Sequence, residues 1–131
     1  MATQTDVVTL YRRKLLAQAT SGAATSIPKV KYIAVGTGGL NDDGTPKVPA
    51  ASQTALENEI KRFEVGTPAY PVETTAQYTV DIAETDADID GKYLSEFALV
   101  DEAGNLCAIR NTMKKGKAAG EKLTIKLEDV F

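Results

Sequence analysis

The sequence predicts an α+β domain: an N-terminal helix packed on a mainly antiparallel sheet with a central hairpin at residues 94–109. Two observations carry this reading. Residues 7–20 show an apolar stripe at helical spacing, and most of the remaining chain either alternates with period two or runs apolar and β-branched between turn formers.

The hairpin is the strongest local signal. In its first strand Tyr93, Phe97 and Leu99 are expected on one face and Leu94, Ala98 and Val100 on the other, because side chains alternate along a strand. Both faces are then largely apolar, as in a strand covered on both sides. Glu102-Ala103-Gly104-Asn105 is a turn signal, with Gly104 free to adopt positive φ. Leu106 to Ile109 is the return strand.

The other elements follow in order. Thr5 or Asp6 is placed to cap a helix over residues 7–20. Val8, Tyr11, Leu15 and Ala19, widened by Leu16, form its inward stripe, and Arg12, Arg13 and Lys14 lie to the sides. Small residues over 23–28 link it to a first strand at 29–35. A long irregular stretch follows, dense in turn formers from Asn41 to Pro46. Residues 53–61 read as a short helix with Leu56 and Ile60 inward, and residues 62–65 as a short strand. Across 72–83, Tyr78, Val80 and Ile82 alternate with Gln77, Thr79 and Asp81, the pattern of a strand wet on one side. An acidic turn at 84–91 leads into the hairpin. A Gly/Lys-rich loop at 111–122 leads out of it, and Leu123, Ile125 and Leu127 mark a last strand. The whole reads as one domain over residues 1–131, with a helix at 1–21 and a sheet domain at 29–131 carrying long loops at 36–52 and 111–122.

Composition bounds the function. The 131 residues carry a net charge of −3, which argues against nucleic acid as the main partner. The start of the chain lacks the basic and apolar segments of a signal peptide, and no apolar run reaches membrane-spanning length, so a protein made in the cytoplasm and not inserted in a membrane is expected. The one cysteine, Cys107, lies in a strand and reads as a small buried hydrophobe. There is no histidine, so the commonest general base is missing; no catalytic set is assembled, and a non-enzyme without cofactors is expected.

Three strings invite a site reading. Gly36-Thr37-Gly38-Gly39 follows a strand but lacks the Lys-Ser/Thr and helix of a phosphate loop, so its glycines are read as allowing a sharp exit from the strand. Asp86, Asp88 and Asp90, followed by Gly91, begin like a calcium loop. The bidentate glutamate should lie six residues after the glycine, where Phe97 stands, so no metal is expected and a solvated turn is read instead. Lys114, Lys115, Lys117 and Lys122 make a basic loop, either a hydrated connection or an arm for an acidic surface.

Three stretches occur together in a known family. KYIAVGTGG at 31–39, ALENEIKRFEV at 55–65 and LSEFALVDEAGNLCAI at 94–109 resemble the N-terminal domain of phage tail-collar fibre proteins. The matching positions are Thr54, Ala55, Leu56, Asn58, Glu59 and Arg62, then Ser95, Glu96, Asp101, Glu102 and Gly104. The resemblance spans roughly residues 30–109. It implies a virion structural protein of the tail, made in the host bacterial cytoplasm and acting by assembly at a collar, baseplate or fibre attachment. Members of the family continue into a fibre; with no shaft or receptor-binding tip here, a free-standing component is expected. A head-decoration or neck protein is the alternative, and a small calcium- or ligand-binding module is the alternative of another class. Implied partners are other virion proteins and copies of the chain, a trimer first. Interface candidates are Val8, Tyr11, Arg12 and Leu15 of the helix and Lys114, Lys115 and Lys117 of the basic loop, the latter facing the acidic turn of a neighbouring subunit.

Overall fold

Period-two patterning dominates the fold more fully than the sequence suggests. A computed structural model describes residues 4–23 and 26–131. Their elements are β1 (Gln4–Val8), α1 (Leu10–Thr20), β2 (Val30–Gly36), β3 (Glu59–Glu64), β4 (Ala69–Val72), β5 (Thr75–Ile82), β6 (Tyr93–Asp101), β7 (Leu106–Gly116) and β8 (Leu123–Val130). All pairings are antiparallel. They build a five-stranded sheet in the order β1-β7-β6-β2-β3 and a three-stranded sheet in the order β4-β5-β8.

Alternation sets the two layers. Ile33 pairs with Leu99 and Val35 with Phe97, all on one face of the larger sheet. They bury against Val80, Ile82, Ile125 and Leu127 of the smaller sheet, joined by Ile89 and Cys107. Fully burying one such side chain contributes about 1.5–3 kcal/mol. On the opposite face Ala34, Ala98, Val100, Leu106 and Ile109 form a second cluster, covered by Leu56 from the segment after β2.

The α+β expectation is overturned. Strand makes up 48% of the structure and helix 9%, so the fold is a largely β sandwich. The helix begins later than expected because Val7 and Val8 are taken by β1, where they pair with Ile109 and Ala108. Thr9, not Thr5 or Asp6, is the N-cap: its hydroxyl accepts from Arg12 N at 3.3 Å and donates to Leu106 O at 2.7 Å. No described helix residue joins either core cluster. Tyr11, Leu15, Leu16 and Ala19 are only half-buried, and the one buried side chain of α1 is Arg12.

Further corrections concern loops and parity. Residues 53–58 are irregular, with a turn at 57–58, and only the end of the helix expected over 53–61 is regular, as the start of β3; backbone donors of this segment are spent on a tertiary partner described below. The loop at 111–122 is shorter than read, since β7 runs to Gly116. Leu94 sits in the cluster of Phe97 and Leu99 rather than opposite them, and Tyr93 is 61% exposed. The register shifts between Leu94 and Glu96, where residues 111–115 of β7 span two residues of β6 and break the simple alternation. The linker expected over 23–28 lies partly outside the described residues.

Candidate functional site

Two adjacent polar residues, Ser95 and Glu96, are buried in the central strand β6. Their partners all come from the segment between β2 and β3. Glu96 Oε1 accepts from Asn58 N at 2.7 Å and Gly38 N at 3.1 Å, and its Oε2 accepts from Glu57 N at 3.0 Å. Ser95 Oγ donates to Gly38 O at 2.6 Å. Three backbone donors thus converge on one carboxylate, a strong arrangement because one partner is charged. Neighbouring β7 adds Asn111, buried, whose amide donates to Lys47 O at 3.0 Å.

The glycines make this closeness possible. A Cβ on Gly36 would lie 2.5 Å from both Asn58 O and Glu96 Oε1, and one on Gly39 would collide with the Asn111 side chain at a φ of +75°. Their role is close approach to β6 and β7, beyond the sharp strand exit read from sequence. On the outer side Glu57 accepts from Gly39 N at 3.2 Å and Lys47 Nζ at 3.2 Å; those two partners, the backbone first, hold its carboxyl below the usual range. The Ser95 hydroxyl and the Glu96 carboxylate are both spent on backbone groups of this segment. The cluster fixes a long surface segment, residues 37–58, on a rigid sheet, which is how a protein presents a shaped loop surface.

The interface candidates are scattered. Val8 is in β1 and 39% exposed. Tyr11 donates through its hydroxyl to Asp101 Oδ2 at 2.6 Å, and Arg12 is buried against Asp129, so both are committed within the chain. Leu15 is half-buried. Lys114 and Lys115 are exposed at the end of β7. Lys117 is buried and paired with Asp90, and Lys122 lies 3.6 Å from Asp81. The basic loop thus meets the acidic turn within one chain through Lys117 and Asp90, and meets β5 through Lys122 and Asp81.

The aspartates of the calcium-like string are likewise engaged. Lys61 Nζ lies 2.9 Å from Asp86 Oδ2 and 3.0 Å from Asp88 Oδ2, and Asp90 is taken by Lys117. Hydrogen bonding to Lys61 holds the Asp86 carboxyl below its ordinary range and raises the Lys61 ammonium. Cys107 is buried, and burial pushes its thiol up to about 11.

None of the family models, curated proteins or solved structures compared with this chain matches it. Among the described residues, no helix is long and apolar enough to cross a membrane.

Sequence reasoning missed the anchoring roles of Glu96, Asn111, Arg12 and Asp129. For Glu96 a signal existed: an acid flanked by Ser95 and Phe97 inside an apolar strand needs buried partners. For Arg12 nothing local distinguishes it from Arg13.

Proposed function

We propose that the chain is a structural component of a phage or phage-like tail, at a collar, baseplate or fibre attachment, acting by oligomeric assembly rather than catalysis. One observation supports this beyond the sequence resemblance itself. The three stretches that carry the resemblance are joined through a single group: Glu96, from the third, binds Gly38 of the first and Glu57 and Asn58 of the second. A motif that forms one physical unit is a better basis for a family reading than three unconnected strings. The sandwich then serves as a rigid base, with residues 37–58 clamped on it as the presented surface. Tyr70 and Val72 of β4, with Val130 and Phe131, add apolar side chains 58–66% exposed, the kind of surface that neighbouring subunits cover.

The test is mass spectrometry of purified particles from the genome that encodes the chain, followed by imaging with a gold-labelled antibody. The expected result is several copies per particle with label at the tail. Label on the head would favour a decoration or neck protein, and absence from particles would overturn the reading.

A further inference from the structure

Among the described residues Lys117 is the only buried lysine; its side chain has no solvent contact, and its amine meets the carboxylate of Asp90. Lys117 follows β7 and Asp90 precedes β6, so the pair closes the open end of the β6–β7 hairpin. The backbone clamps it on both sides: Gly91 N donates to Lys117 O at 2.8 Å, and Lys117 N donates to Lys92 O at 3.2 Å. Ile89, beside Asp90, and Leu94 are fully buried in the apolar cluster between the sheets. Asp86 and Asp88 of the same turn are held by Lys61, and Asp90 is the one side-chain acceptor of the Lys117 amine among the described residues. An ammonium carries three N–H groups, so two of them lack an acceptor at a covered site. Burying a charged group so sparsely bonded is costly. A secondary amide between the two side chains carries a single N–H and no charge.

We propose that Lys117 and Asp90 condense into an intramolecular isopeptide bond once folding has brought them together. A proton passes from Nζ to the Asp90 carboxylate, leaving an amine and a carboxylic acid. The amine lone pair attacks Cγ and forms the Nζ–Cγ bond. The bond from Cγ to the hydroxyl breaks, and that hydroxyl leaves with a second amine proton as water. No oxidant, reductant or cofactor enters the balance. The Asp90 side chain is 23% exposed, which gives the departing water a way out. A free amine and a free acid do not condense to any extent in water, but groups held in contact react at an effective concentration of about 10⁵–10⁸ M. The bond ties the connection between β5 and β6 to that between β7 and β8, and constrains the unfolded chain as a disulfide does. This goes beyond the assembly reading and stands whether or not the protein belongs to a particle.

The test is the intact mass of the full chain, purified in its folded state and incubated at neutral pH. The expected mass is lower than the sequence requires by one water. A tryptic digest should yield a branched peptide that joins the segments holding Asp90 and Lys117, with no cleavage after Lys117. Lys117→Met and Asp90→Ala should each restore the full mass. The branched peptide is read in the unsubstituted protein, so the result stands even where a variant folds poorly. Full mass in the folded, incubated chain overturns the proposal. So does a water loss carried by linear peptides and kept in Lys117→Met, which assigns it to a succinimide at Asp90-Gly91 or Asp43-Gly44 instead.

Discussion

Arg12 of α1 and Asp129 near the end of β8 meet at 2.5 Å, with side chains 10% and 6% exposed, and the guanidinium also lies 5.2 Å from the centre of the Phe131 ring. This pair, with Tyr11 on Asp101, is what fastens the helix to the sandwich, since α1 adds nothing to either apolar cluster. Removing one partner of a buried pair leaves the other charge uncompensated, at a cost of about 3–5 kcal/mol. Asp129→Ala should therefore show that loss in urea unfolding, while Arg12→Met/Asp129→Leu should recover most of it. A double variant no better than the single one would show that the pair's charges are not what matters.

Glu96 yields a sharper prediction. Glu96→Gln keeps the shape but turns an amide NH₂ towards a backbone donor and loses the charge-assisted bonds, at about 2–3 kcal/mol. Glu96→Ala orphans three N–H groups and should release residues 37–58 as well. Hydrogen exchange at Gly38, Glu57 and Asn58 separates these effects: faster exchange there, with β5 and β8 protected, is the expected pattern. Unchanged protection at those amides would remove Glu96 from its anchoring role.

Cys107 should be inert while the protein is folded. With its thiol pushed up to about 11 by burial, little thiolate exists at neutral pH, and the sulfur is covered. An aromatic disulfide reagent at mildly alkaline pH should label it only at the rate of unfolding, and fully in denaturant. Labelling as fast as that of a free thiol would contradict its burial.

Acid should destabilise the fold in a defined window. Asp86 and Glu57 have carboxyls held below their ordinary values, the first by Lys61, the second by Gly39 N and Lys47. Each binds its proton less readily folded than unfolded, so its stabilisation is present above about pH 4 and is lost as pH falls through the lower folded value. Lys61 runs the other way: its raised ammonium stabilises below about pH 10 and ceases to as pH rises through the folded value. Melting temperature should be flat from about pH 5 to about pH 8, drop on the acid side, and begin to drop on the alkaline side as Cys107, whose folded thiol is pushed up to about 11, ionises first in the unfolded chain; Asp86→Asn should shrink the acid drop. An unchanged acid limb in that variant would show that other groups set it.

Strands β2, β5 and β6 could be read from sequence because their signals are local. Tyr78, Val80 and Ile82 alternate against wet neighbours, and Ile33 to Val35 is a buried run. The misreadings share a cause in distant partners. Leu56 and Ile60 have helical spacing, yet the backbone donors of Glu57 and Asn58 go to a carboxylate 38 or 39 residues on. Val8 fits a helical stripe as well as a strand, and Ala108, exactly a hundred residues away, decides between them. Lys117 looks like any other lysine of its loop until Asp90 is brought to it. The anchoring cluster was visible only as residue types, since its geometry is entirely long-range.

The placement of β1 has a consequence for how the protein is made. Gln4 pairs with Thr112 and Val8 with Ala108, so the first strand emerges from the ribosome long before its partner exists. Until β7 is synthesised the backbone groups of β1 have no sheet to join, and α1, reached through Thr9 and fastened by Asp129, must wait still longer. Sheets closed by such distant pairings fold slowly, on the order of milliseconds to seconds. The helix and its strand, though they precede the rest of the sandwich in sequence, are among the last parts that can settle, and a nascent chain cut short before β7 leaves the flank formed by β1, β7 and β8 open.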